Sequence, residues 1–146
     1  MSNTNTVLQV ANGSQPYFAQ YGKQFQESLA QLIMEDRPFA DQMEEVLSVN
    51  FFETKYLRVF TKKIFDYRVK YGVHPTKKIL ATVLRTDLEN HADALQKQVR
   101  DYFARIYNKP PDVRESDYIK SIALDFCKKQ KLKEAMIESV KLLKKS

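Results

Sequence analysis

The stretch SDYIKSIALDFCKKQKLKEAMIESVKLLKKS (residues 116–146) contains neither glycine nor proline. Apolar residues recur in it at helical spacing and lysines fill many of the positions between them, which predicts one long amphipathic helix. Just upstream, Asp112 and Glu115 have the spacing of a capping box, so the helix is expected to begin there. The alternative is two shorter helices with a turn near CKKQK (residues 127–131), although no turn-forming residue occurs in that segment.

A single helix over this stretch would be about 50 Å long, which is more than a globule of this size can cover. We therefore expect part of the helix to project and to need a partner. The apolar stripe is interrupted in its middle by Lys129 and Lys133. Its members are Ile119, Ile122, Phe126, Met136, Val140 and Leu143.

Positive charge is concentrated in the same segment. Residues 118–146 contain eight lysines and three acidic residues, which accounts for +5 of the chain's net charge of +6. Lysines can neutralise phosphates and give sequence-independent affinity for nucleic acid. The alternative is a solvated helix face that only keeps the helix soluble. The candidate nucleic-acid contacts are Lys128, Lys129, Lys131 and Lys133.

Upstream of this helix, further apolar stripes at helical spacing alternate with helix-breaking residues. Gly72 is expected to close one helix in the left-handed conformation, and Thr76 to cap the next. Only three glycines and few alternating Val and Thr runs argue against a sheet protein rich in tight turns, so the predicted fold is all-α: a compact helical bundle followed by one long projecting C-terminal helix. The predicted domains are a flexible tail over 1–20, a helical head over 21–108 and the long helix over 112–146. The expected core of the head is Leu29, Leu32, Phe60, Ile64, Leu80, Val83, Val99 and Phe103.

Residues typical of a catalytic or metal site are scarce. The chain has no G-x-x-x-x-G-K-[ST] phosphate loop, and His74 and His91 lack metal-ligand spacing and are expected at the surface. Cys127 is the only cysteine, which excludes an internal disulfide and predicts a small buried apolar residue. No catalytic, cofactor-binding or metal residue is therefore predicted. With no secretory signal and no apolar run long enough to span a membrane, the chain is expected in the cytoplasm.

The segment FQESLAQLIMEDRPFADQMEEVLSVNFFETKYLRVFTKKIFDYRVKYGVHPTKKILATVL (residues 25–84) contains four short motifs in the same order as in a known protein family. A further segment, DYIKSIALDFCKKQKLKEAMIESVKLL (residues 117–143), has Tyr118 and Ile122 in matching places. Together they resemble the N-terminal domain of DnaB-type replicative DNA helicases. AQYGKQFQE (residues 19–27) replaces that family's usual N-terminal motif, which fits a divergent, bacteriophage member. The earlier matches are Leu29, Leu32 and Ile33; Asp36 and Phe39; Asn50, Phe51 and Phe52; and Gly72, Pro75 and Thr76.

The resemblance implies a collar domain of a hexameric helicase that does no chemistry itself. It implies association with other subunits through the stripe from Ile119 to Leu143, and binding of primase and a helicase loader. The long helix would be the first arm of a helical hairpin. The second arm and an ATPase motor that uses ATP and Mg would follow in a longer protein, in the host cytoplasm if a phage encodes it. Single-stranded DNA is a further expected partner. The alternative function is a free-standing basic helical protein that binds nucleic acid.

Overall fold

The computed structural model describes residues 17–145, and this part of the chain contains helices and no strand. The prediction of an all-α fold is confirmed. Two short 3-10 turns occupy Tyr17–Tyr21 and Val49–Phe51. The α-helices are α1 (Lys23–Glu35), α2 (Arg37–Glu44), α3 (Lys55–Tyr71), α4 (Lys77–Thr86), α5 (Asp93–Tyr107) and α6 (Val113–Lys145).

Local signals place the helix ends in the middle of the chain. Gly72 closes α3 with φ of 73°, the left-handed region that glycine enters without strain, and its N–H donates to the Arg68 carbonyl oxygen at 2.8 Å. Thr76 caps α4 by accepting from the Ile79 N–H at 3.1 Å. Both predicted boundaries are confirmed. Asp36 caps α2 in the same way, because its side chain accepts from the Phe39 N–H.

The core of the head forms around α1, which packs against α2, α3 and α6, while α3 also packs against α5. Phe60 of α3 is completely buried, and its ring meets the Tyr102 ring of α5 edge to face with centroids 5.1 Å apart. Seven of the eight expected core residues are buried. The exception is Val83, which is half-buried and lines a groove.

The N-terminal 3-10 turn corrects the predicted extent of the flexible tail, of which residues 1–16 lie outside the described part. Tyr17 and Phe18 are buried. The Phe18 ring centroid lies 5.1 Å from that of Phe52 and 5.9 Å from that of Phe126. Two aromatic side chains bury a large apolar area, which fixes this polar-looking segment onto the head. The head therefore includes residues from Tyr17 onward.

α6 is one continuous helix of 33 residues, so the alternative of a turn near residues 127–131 is excluded. Its first half packs on the head, and from Lys131 onward every described side chain is exposed except the half-buried Ile137. The predicted projection is thereby confirmed. At its start, Asp112 accepts from the Arg114 N–H at 3.0 Å, two residues on. None of the helices within residues 17–145 is long and apolar enough to cross a lipid bilayer.

Candidate interaction surface

The first half of α6 turns a row of small and medium side chains toward the head. Ile119, Ala123, Cys127 and Gln130 are all buried, and their spacing of three to four residues places them on one side of the helix. Cys127 is fully buried, and burial raises the pKa of its thiol to about 12. This confirms the prediction that Cys127 is a packing residue. We call these four residues the proximal row.

The second half of α6 carries a separate row of exposed apolar side chains. Leu132, Met136, Val140 and Leu143 are 63%, 61%, 52% and 75% exposed. At 3.6 residues per turn, this row lies roughly 140° around the helix axis from the proximal row. We call these four residues the distal row. The predicted stripe is therefore not one continuous surface: Ile119 belongs to the proximal row, whereas Met136, Val140 and Leu143 belong to the distal row.

Three of the predicted stripe residues lie in the packed half of α6. Ile119 is 5% exposed, and Ile122 and Phe126 are half-buried. The Phe126 ring contacts aromatic residues of the same chain. Its centroid distances are 5.6 Å to Tyr17, 5.9 Å to Phe18, 6.2 Å to Tyr21 and 5.9 Å to Phe51. Ile119 and Phe126 therefore serve the chain's own core, which corrects their assignment to an exposed interface.

The other three predicted contacts, Met136, Val140 and Leu143, lie in the distal row and are accessible. Leu132 shares their side of the helix but falls outside the predicted stripe. Leu132 does not fall at a heptad position of the predicted stripe, so the heptad pattern omits it. It is recognised as a member of the distal row only once the buried and exposed sides of α6 are known. The contact of this row with another subunit stays a prediction.

The four candidate lysines do not form one patch. Lys129 pairs with Asp125 at 3.0 Å on the helix surface, and Lys131 donates to the Glu45 backbone carbonyl oxygen of the head. Lys128 and Lys133 are exposed, but they point roughly 140° apart around the axis of α6. The arrangement fits a solvated helix face better than a phosphate-binding surface.

A charged cluster joins α2 to the end of α3. Arg68 donates to Asp41 and to Glu44, the latter at 2.6 Å, and the guanidinium holds the pKa of the Asp41 carboxyl below its ordinary value. His74 Nε2 lies 2.8 Å from the Met34 carbonyl oxygen, so that nitrogen carries the proton and Nδ1 accepts from Arg68. His74 is thus a half-buried structural residue, which corrects its predicted place at the surface. His91 is also half-buried.

A second polar cluster connects α1, α3 and α5. The Glu27 carboxylate accepts from the Tyr56 hydroxyl and, at 3.1 and 3.2 Å, from Arg105. Burial alone would raise the pKa of Glu27, but the hydrogen bonds from Arg105 and Tyr56 outweigh it and lower the pKa. Burial and the neighbouring carboxylate raise the pKa of Tyr56 to about 12. Because these groups bond one another, the cluster is suited to holding helices together rather than to proton transfer.

The described residues hold no group of three or more His, Cys, Asp or Glu side chains placed to bind a metal ion. Their surface has shallow grooves instead. One, of about 510 Å³, lies between α1 and the start of α6 beside Phe25 and Tyr118. Another, of about 270 Å³, lies between the end of α3 and α4. Between residues 17 and 145, the distal row is the largest set of exposed apolar side chains on a single side of a helix.

No family model, curated protein or solved structure matches this chain. The resemblance to DnaB-type helicases therefore stays a prediction from sequence motifs.

Proposed function

We propose that this chain is a non-catalytic interaction domain that associates with further copies of itself through the distal row, as the collar domain of a DnaB-type replicative helicase does. The observation that carries the proposal is the distal row itself, which consists of four large apolar side chains on one side of the projecting half of α6. The DnaB-like sequence motifs support the proposal independently of the distal row, because they lie mainly in the head.

Physical reasoning favours a helix as the partner of this row. Leu132, Met136, Val140 and Leu143 follow one another at spacings of four, four and three residues, which makes a narrow stripe along the helix. Fully burying one such side chain contributes about 1.5–3 kcal/mol, so covering the stripe would offset much of the cost of association. A second copy of α6 supplies a stripe of the same length and chemistry.

Other features of the proposal follow from the sequence resemblance. Partners besides the chain itself would be primase and a helicase loader, and the chain would work in the cytoplasm. In the helicases that it resembles, ATP and Mg belong to a separate motor domain.

The proposal is tested by sedimentation of the parent chain and of Met136→Glu over a range of protein concentrations. We expect the parent to associate and Met136→Glu to sediment as a monomer, because an unpaired carboxylate within an apolar contact is costly to bury. Lys141→Glu is the matched control in the same half of α6, on the side of the helix away from the distal row, and it should associate like the parent because an exposed charge contributes roughly 0–1 kcal/mol. Phe126→Glu is unsuitable, since Phe126 packs in the chain's own aromatic cluster.

Two outcomes contradict this role. One is a parent chain that stays monomeric at high concentration. The other is a Met136→Glu variant that associates as strongly as the parent while circular dichroism shows both to be folded.

A further inference from the structure

The groove between the end of α3 and α4 combines exposed aromatic rings with lysines. Tyr67 and Tyr71 lie one helical turn apart on α3, with ring centroids 4.6 Å apart. Tyr71 is 57% exposed although α3 is otherwise packed into the head on its opposite side. Val83 of α4, half-buried, lines the groove with them. The two rings are tilted by 44° to each other, so the more exposed Tyr71 ring is the apolar surface on which a ligand could stack.

Two lysines that line the same groove lack a carboxylate partner. Lys70 Nζ lies 5.3 Å from the centroid of the Tyr71 ring, and Lys63 is half-buried along the groove wall. Within residues 17–145 neither forms an ion pair, whereas the neighbouring Asp66 is paired with Lys62 at 3.0 Å. Asp87, the other acidic residue of the groove, accepts from the Thr86 hydroxyl. A hydroxyl group carries no charge that could offset a carboxylate, so outside the Lys62–Asp66 pair the groove is lined by two lysines, Lys63 and Lys70, and one aspartate, Asp87.

We propose that this tyrosine–lysine groove, formed by Lys63, Tyr67, Lys70, Tyr71 and Val83, binds single-stranded nucleic acid. One base stacks on the Tyr71 ring, and the neighbouring phosphates contact Lys63 and Lys70. Sites that bind single strands without sequence preference combine these two elements, aromatic platforms for bases and cations that follow the backbone. An acidic peptide would use the lysines but not the ring faces, so the aromatic pair favours a nucleic acid.

This site is separate from the surface proposed for association. The tyrosine–lysine groove belongs to α3 and α4 of the head, whereas the distal row belongs to α6. It also differs from the lysines of α6, which face different directions. Loss of one activity in a variant is therefore expected to leave the other unchanged.

The first test measures binding of the purified full chain to a fluorescently labelled oligo-dT by anisotropy at low salt. Tyr71→Ala should weaken binding by about fivefold to 100-fold, the range for losing one stacked base. Tyr71→Phe keeps the ring and should bind within about twofold of the parent. Circular dichroism checks that both variants are folded. If Tyr71→Ala does not fold, Lys70→Glu replaces it as the test, because Lys70 is exposed and its change should weaken binding without disturbing the fold.

The second test concerns charge. Replacing Lys63 and Lys70 together by Gln should reduce the slope of log affinity against log salt concentration by about 1.4, as expected for two lost phosphate contacts to a single strand. The matched control replaces Lys128 and Lys133 of α6 by Gln and should retain the slope of the parent within experimental error.

The proposal is overturned if oligo-dT does not bind at low salt, or if Tyr71→Ala binds as tightly as Tyr71→Phe. It is also overturned if only the control pair on α6 abolishes binding, which would place the contact on the long helix. Binding of polyglutamate as tight as that of oligo-dT and independent of Tyr71 would identify an acidic protein segment as the ligand instead.

Discussion

Phe60 shows how strongly one side chain in the head is constrained. It is fully buried, and its ring packs edge to face on Tyr102 and near Phe103. We expect Phe60→Ala to lower the free energy of unfolding by about 3–5 kcal/mol, because a large cavity replaces the ring. Urea unfolding measures this loss. Val69→Ala, on the same helix but 73% exposed, is the control and should change stability by less than about 0.5 kcal/mol. A loss below about 1 kcal/mol for Phe60→Ala would contradict the packing described.

At the scale of single residues, the sequence predicts features that depend on neighbouring residues, but it does not predict contacts between distant parts of the chain. Gly72 and Thr76 could be assigned their roles because a left-handed glycine and a threonine cap depend only on neighbouring residues. Tyr17 and Phe18 lie at the end of a polar stretch that predicts a flexible tail, and they are buried because Phe51, Phe52 and Phe126 contact them from distant parts of the chain. Sequence periodicity carries no information about such tertiary contacts.

At the scale of the element, α6 divides into a half that the head stabilises and a half that it does not. A helix without tertiary packing is marginally stable, so its amides open easily. In dilute, monomeric protein we expect amides of residues 133–145 to exchange at least about tenfold faster than those of residues 118–130. Hydrogen exchange read by mass spectrometry checks this difference, and Met136→Glu supplies a monomeric reference at higher concentration. Equal protection of the two halves in that reference would contradict the division.

The existence and length of α6 could be predicted, but the sides that it buries could not. Periodicity selects the largest apolar residues, and it therefore joined Ile119 and Phe126 to Met136 and Leu143 in one stripe. The head packs against Ile119 and Phe126 and also against the small residues Ala123 and Cys127, which allow close approach of the helices, while the large residues of the distal row stay exposed. Gln130 is buried although it is polar, and Tyr17 Oη lies 3.5 Å from its side-chain nitrogen.

For the whole molecule, two carboxylates that bridge helices predict how stability depends on pH. Lys120 of α6 pairs with Asp36 at 2.9 Å, and Arg105 of α5 pairs with Glu27 of α1. For both carboxyls burial alone would raise the pKa, but hydrogen bonds lower it below the ordinary value. A lowered folded-state pKa stabilises the fold above the unfolded-state pKa, and this contribution is lost as pH falls through the folded-state value.

We therefore expect the urea midpoint to change little from pH 7 to about 5 and to fall below about pH 4.5, near the ordinary pKa of these groups. Glu27→Gln should be less stable than the parent at pH 7 and should lose less stability on acidification, because one of the two contributions is already absent. Glu89→Gln, at an exposed position, should follow the parent. An acid profile of Glu27→Gln parallel to that of the parent would show that the Glu27–Arg105 pair does not stabilise the fold.

The attachment of α6 by its first half also makes it a lever. About 15 residues extend beyond Gln130, a reach of about 22 Å, so a tilt of 10° at the head would displace the tip by about 4 Å. The tilt of α6 on the head depends on Ala123 and Cys127, which are fully buried. A single methylene added to either side chain would require the helix to move away from the head. The geometry of any assembly built on the far end of α6 is consequently governed by the smallest side chains of its near end.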